Sequence, residues 1–133
     1  MTLVSLATDG EYPLMNALFR WFRRSPPPPD WIEPADLATR LPEDASPLVL
    51  DVRGPDEFDG PLGHITGAIN LPLNELPSRL TELVSQSRPI VVVCKTDRRS
   101  SMAAQQLRKA GMRNVSVLRG GMEQWRAESL PVS

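Results

Sequence analysis

Cys94 is the residue of this 133-residue chain best placed to perform covalent chemistry. It follows the apolar run IVVV at residues 90–93, which is typical of a strand buried on both faces. The pattern predicts that a helix begins about six residues later, with Ser100 or Ser101 as its N-cap. Because ligands of open α/β sheets bind outside the carboxyl ends of the strands, this spacing predicts a functional site around Cys94.

The segment between this strand and helix is basic and could form an anion-binding loop. Backbone N–H groups in such a loop, and at the start of the next helix, can point at a negative charge. The segment carries three cations against one carboxylate, and its residues are Lys95, Thr96, Asp97, Arg98, Arg99 and Ser100. These surroundings favour a thiolate, so we expect Cys94 to be a nucleophile and residues 95–100 to bind its substrate. A small, inert core cysteine is the alternative that its position also allows.

Composition excludes several other classes of protein. With one cysteine and one histidine, the chain cannot form an internal disulfide or a thiolate-rich metal site, so we expect no metal and no cofactor. A net charge of -1 argues against nucleic acid as a partner. No apolar run approaches the roughly 20 residues of a membrane-spanning helix, and no secretory signal is recognisable. We therefore expect a cytoplasmic protein.

Four consecutive prolines at residues 26–29 predict a domain boundary. We assign residues 1–30 to an N-terminal amphipathic extension with a polyproline linker, and residues 31–133 to one folded domain. Within the extension, residues 12–24 carry an apolar stripe and several basic side chains. This segment could pack on the domain or on a second copy of it, dock onto a partner, or contact an acidic membrane surface.

Strand and helix patterns alternate along residues 31–133 and predict an α/β fold with a parallel sheet. Strands are predicted at residues 48–52, 90–93 and 115–118. Helices are predicted from Pro34, from an Asn74 cap with Pro77 in the first turn, from Ser100 or Ser101 to Gly111, and after Gly120. Asp51 and Arg53 end the first of these strands, beside the strand that leads to Cys94. They could help to shape the site or form a buried structural pair.

Four motifs resemble those of the rhodanese (sulfurtransferase) superfamily, in that family's order, across nearly all of residues 31–130. The motifs are LDVR at residues 50–53 with EF at 57–58, GHITGAINLP at 63–72, VVC at 92–94 with RS at 99–100, and GGM at 120–122 with Trp125. The resemblance implies a single rhodanese-like domain, in which helices flank both faces of a mostly parallel central sheet.

The resemblance also implies a sulfurtransferase that carries sulfur on Cys94. The thiolate would take the outer sulfur of thiosulfate, or of another small sulfane donor, as a persulfide. A thiol, cyanide or protein acceptor would then remove that sulfur, without a separate general base. Arg99 matches the family's loop arginine and would orient the anionic donor, whereas Lys95 and Arg98 would give only electrostatic support.

Two other functions stay open. A rhodanese-fold binding or regulatory module with weak or no catalysis is favoured by Asp97 and by the apolar extension. A phosphatase or arsenate reductase of this fold would use a loop one residue longer, with arginine six positions after the cysteine. Here Arg99 comes five positions after Cys94, and Ser100 occupies the sixth.

Asp97 replaces the glycine that is usual at this position of the family's loop, and we expect its carboxylate to weaken the use of thiosulfate. We also expect aspartate to tolerate the loop's backbone angles at a modest cost in strain. Asp97→Gly should raise kcat/KM for thiosulfate modestly, since an exposed charge interaction contributes about 1 kcal/mol or less. Measuring both proteins at low and high salt tests this prediction. An unchanged or lower value in the glycine variant at low salt contradicts it.

Overall fold

The computed structural model describes residues 30–133, and in this part of the chain five parallel strands form one sheet. The strands are β1 (Asp30–Ile32), β2 (Leu48–Asp51), β3 (Ile69–Asn70), β4 (Ile90–Val93) and β5 (Val115–Leu118). Their order across the sheet is β1-β5-β4-β2-β3, which places β4 in the centre. The register pairs Asp51 with Val93, so β2 and β4 end side by side. The amphipathic segment at residues 12–24 lies outside the described residues.

Helices cover both faces of the sheet, as predicted. The α-helices are α1 (Pro34–Arg40), α2 (Pro55–Phe58), α3 (Leu80–Val84), α4 (Arg98–Lys109) and α5 (Gly121–Ala127), and a 3₁₀ helix spans Leu73–Arg79. Among residues 30–133, no helix has both the length and the apolar character needed to cross a bilayer.

The sheet lies between two apolar layers. Side chains alternate along β4, so this strand contributes residues to both layers. Ile90 and Val92 pack against α4, the 3₁₀ helix and α3, whereas Val91 and Val93 pack against α1 and α5. All four side chains are at most 1% exposed, which explains why every position of the strand is apolar. Cys94 continues the first of these layers.

Two helix starts differ from the sequence prediction. The helix expected from Asn74 begins as a 3₁₀ helix after Pro72 and becomes α-helical only at Leu80. Pro77, inside that first part, has no N–H to donate and its ring opposes α-helical packing of the preceding turn. The predicted serine cap of α4 is also wrong, because Asp97 occupies the N-cap position and the helix starts at Arg98. Strands β1 and β3 and the helix α2 are short, and the sequence analysis did not predict them.

Helix α5 starts in direct contact with the loop that follows β4. The N–H groups of Met122 and Glu123 donate to the carbonyl oxygens of Cys94 and Lys95, at 2.9 and 3.0 Å. Gly121 has φ +59°, and a Cβ at this position would lie 2.5 Å from the Cys94 oxygen and closer still to that of Thr96. Only glycine allows this approach, so Gly121 determines where the loop lies.

We predict that Gly121→Ala destabilises the protein by at least about 3 kcal/mol. A left-handed backbone angle costs a side chain about 1–2 kcal/mol, and the clash with backbone oxygens adds to that cost. Gly111→Ala is the matched control, because Gly111 has φ +106° but no other atom lies within 4 Å of the position that a Cβ would take. Urea unfolding gives both free energies of unfolding. Equal losses in the two variants would contradict the importance of the close approach.

Candidate functional site

Cys94 lies at the carboxyl end of the central strand β4, where the sequence places it, and its side chain is 1% exposed. The site is therefore a sulfur atom at the base of a loop, close to the N-terminus of α4. That helix begins four positions after Cys94, two residues earlier than predicted. Its first turn thus includes Arg99 and Ser100, both of which the sequence analysis assigned to the loop.

Ser100 provides the polar contacts of the Cys94 sulfur. Its backbone N–H donates to Sγ at 3.4 Å, and its hydroxyl oxygen lies 3.3 Å from Sγ. Ser100 is itself fully buried, so water does not compete at its side chain. The sulfur can thus accept two hydrogen bonds from one residue at the start of a helix, where the helix dipole also favours negative charge.

The peptide groups of the loop are oriented by α5. Carbonyl oxygens of residues 94–96 converge on Gly121, and the N–H group of each following residue points away from them, because a trans peptide places these groups on opposite sides. Within residues 30–133, the N–H groups of Lys95, Thr96 and Asp97 donate to no backbone carbonyl. These N–H groups therefore have no backbone acceptor within the described residues, and their predicted role in binding an anion stays a prediction.

Asp97 does not carry the strain that we expected. Its φ of -148° lies outside the left-handed region, so this loop does not require glycine at position 97. Its carbonyl oxygen accepts hydrogen bonds from the hydroxyl of Ser101 at 2.6 Å and from the Ser101 N–H at 3.0 Å. The carboxylate forms no ion pair with any residue that the structure describes.

Arg99 is bound by Glu57, a partner to which the sequence analysis gave no role. Both terminal nitrogens of the guanidinium donate to the two carboxylate oxygens, at 2.7 and 2.9 Å. The carboxylate comes from α2, which lies 42 positions earlier in the chain. A local count of charges could not reveal such a pair, although EF at residues 57–58 belongs to the recognised motif.

The ion pair alters the titration of both partners. Hydrogen bonds from Arg99 lower the pKa of Glu57, although partial burial opposes this shift. Hydrogen bonds to Glu57 raise the pKa of Arg99, partial burial opposes this shift, and the negative charge of Glu57 adds to it. Because folding lowers the carboxylate's pKa, the pair stabilises the fold at neutral pH and is lost as the pH falls through that lowered value.

A second carboxylate reduces the positive charge of the loop. The Lys95 ammonium lies 3.7 Å from the Glu123 carboxylate, and both side chains are about half exposed. Counted with Glu57 and Glu123, the loop has three carboxylates and three cationic side chains, so these six side chains together carry no net charge. Thr96 and Arg98 are exposed, and Arg98 forms no ion pair within residues 30–133.

Asp51 and Arg53 form a buried pair beside the site, which is one of the two alternatives left open by the sequence. Each side chain is 1% exposed, and the guanidinium Nε and Nη2 donate to the carboxylate at 2.9 and 2.8 Å. Nη2 also donates to the Gly63 carbonyl oxygen, and the Asn70 amide donates to the Arg53 carbonyl oxygen, each at 2.8 Å. The pair thereby ties the end of β2 to the segment at residues 63–70.

A cleft of about 380 Å³ opens beside the loop. Its lining residues are Arg53, Glu57, Pro61, Leu62, Lys95 and Glu123. A second cleft, of about 310 Å³, has Val52, Gly54, Pro72, Leu73, Asn74 and Arg99 along its walls. Glu57 lines the first cleft and Arg99 lines the second, so the two partners of the ion pair face different clefts. The substrate-binding role of residues 95–100 stays a prediction.

Comparisons with known proteins agree with this architecture. A protein named "Sulfurtransferase" from Allochromatium vinosum is 33% identical over 101 residues, covering 76% of this chain and 92% of that one. An uncharacterized protein from Bacillus subtilis, YqhL, is 43% identical over 77 residues, which are 58% of this chain and 59% of that one. Two further curated relatives are longer proteins, and this chain matches only about half of the length of each.

A solved structure shows the same fold. The crystal structure of a rhodanese-related protein from Thermoplasma volcanium superposes with a TM-score of 0.68 and 30% identity, covering 78% of this chain and 97% of that one. The family described as "Rhodanese-like domain" matches residues 33–128, most of the part of the chain that the structure describes. This chain therefore belongs to the rhodanese-like domain family.

Proposed function

We propose that the protein is a sulfurtransferase that carries a sulfane sulfur on Cys94. The observation that carries the proposal is the position of Sγ, at the end of β4 and within reach of the Ser100 N–H and hydroxyl. These donors, together with the start of α4, stabilise a thiolate more than a neutral thiol. A thiolate is the nucleophile that sulfur transfer needs.

The proposed reaction has two steps. In the first, the thiolate attacks the outer sulfur of thiosulfate, a bond forms between the two sulfur atoms, and the sulfur–sulfur bond of the donor breaks. Sulfite leaves with the electron pair, and Cys94 holds a persulfide anion. In the second, an acceptor such as cyanide or a thiolate attacks the outer sulfur, and Cys94 regains its thiolate.

Geometry supports a role for the loop N–H groups in both steps. The free N–H groups of residues 95–97 can bind the persulfide anion and the oxygen atoms of a sulfonate-type donor. They are placed before the reaction begins because Gly121 and α5 orient the carbonyl groups of the same peptides. Such donors stabilise developing negative charge without a cost of reorganisation.

Mass spectrometry of the intact protein tests the first step directly. After treatment with thiosulfate, we expect a mass increase of one sulfur atom, mapped by peptide analysis to Cys94 and removed by cyanide with release of thiocyanate. Cys94→Ser should show neither change while keeping its fold, because the two side chains are close in size. A folded wild-type protein that gains no sulfur from thiosulfate or from an organic persulfide would overturn the proposal.

Ser100→Ala tests the contact with the sulfur. Loss of a hydrogen bond to a charged group costs about 1.5–3 kcal/mol, so kcat/KM for thiosulfate should fall at least about tenfold. Ser85→Ala is the matched control, since its hydroxyl donates to the Glu82 carbonyl oxygen on α3, away from the site. Equal rates in the two variants would show that the hydroxyl does not support the thiolate.

A further inference from the structure

The loop arginine of this site is already occupied by an anion, the Glu57 carboxylate. Both terminal nitrogens of Arg99 bind it, at 2.7 and 2.9 Å, and the two side chains are 36% and 39% exposed. Charge-assisted pairs with this forked geometry are the stronger kind of ion pair. A small anion that needs the guanidinium must therefore compete with a carboxylate that is tethered beside it.

The other acidic neighbour of the loop holds its cation less tightly. Glu123 approaches Lys95 at 3.7 Å through one oxygen, with both side chains about half exposed. An exposed pair of this kind contributes little. The two carboxylates line the same 380 Å³ cleft, but only Glu57 blocks an arginine with two hydrogen bonds. This difference makes Glu123 a natural comparison for Glu57.

We propose that Glu57 determines the charge specificity of the site, by neutralising Arg99 and so disfavouring sulfur donors and acceptors that bring a negative charge. Preferred partners are thiols or persulfides with a neutral or cationic group next to the reacting sulfur. Glu57 is a positioning residue here, because it acts through Arg99. The inference rests on the proposed sulfurtransferase function.

A series of small thiols separates this effect from general damage to the site. Full-length protein is first loaded with sulfur and its persulfide is confirmed by mass spectrometry. It is then mixed with 3-mercaptopropionate, 2-mercaptoethanol or cysteamine, whose substituents are anionic, neutral and cationic. Second-order rates of persulfide loss give an anionic-to-neutral ratio for each protein. Comparison between variants cancels the intrinsic reactivity of each thiol.

We expect Glu57→Gln to raise the anionic-to-neutral ratio roughly fivefold, about 1 kcal/mol at 1.4 kcal/mol per factor of ten, and to lower the cationic-to-neutral ratio. Glu123→Gln removes the same charge from the cleft and should change these ratios by less than half as much on a logarithmic scale. In an Arg99→Gln background, Glu57→Gln should return both ratios towards the wild-type values, because the two opposite charges of the pair are then both absent.

Arg99→Gln alone tests the same ion pair if Glu57→Gln does not fold. It leaves the Glu57 carboxylate without its counterion and should lower the anionic-to-neutral ratio. Equal ratios in wild type and in both single variants, or an equal shift in Glu57→Gln and Glu123→Gln, would overturn the inference. A wild-type protein that never forms the persulfide fails at the loading step, which overturns the proposed function and this inference with it.

Discussion

The geometry of the site depends on the absence of one side chain, at Gly121. Because this residue has no Cβ, the carbonyl oxygens of residues 94–96 can approach the start of α5, where Met122 and Glu123 donate to the first two of them. The N–H groups of the same peptides then point the other way. Contact between the last helix and the end of the central strand thus sets the direction in which the loop N–H groups point, and the surroundings of Cys94 depend on a residue 27 positions further along the chain.

Electrostatics around the loop come from the tertiary structure more than from the local sequence. The segment at residues 95–100 is strongly basic when it is considered alone, and this pattern suggests a site for free anions. Folding brings Glu57 and Glu123 to Arg99 and Lys95, so each of these cations meets a carboxylate from another helix. The backbone donors, the Ser100 hydroxyl and the exposed Arg98 then remain for a negative charge at the sulfur. Binding of an anion through N–H groups needs no net positive charge.

Much of the architecture could be predicted from the sequence, because strands buried on both faces consist mainly of apolar residues, as β4 does throughout, and glycines mark the ends of helices. The position of Cys94 at the end of β4 follows from this pattern, as do the strands β2 and β5.

The start of α4 could not be predicted in the same way. Two serines favour an N-cap, but Ser100 has its hydroxyl against the sulfur inside the first turn, and Asp97 takes the cap position without a side-chain bond. The Glu57–Arg99 pair was also missed, because its partners are 42 positions apart and each belongs to a different motif.

The burial of Cys94 has a consequence for its chemistry with oxidants. Only 1% of the residue is exposed, so a large reagent cannot easily approach Sγ in line with the bond that must break. A thiol of another protein molecule therefore cannot reach Sγ unless the loop rearranges. Burial likewise disfavours a disulfide between the Cys94 residues of two copies of this chain. A persulfide would carry its terminal sulfur one bond further out. The described structure thus shields the resting thiol sterically, whereas the loaded form would present its reactive atom nearer to the surface.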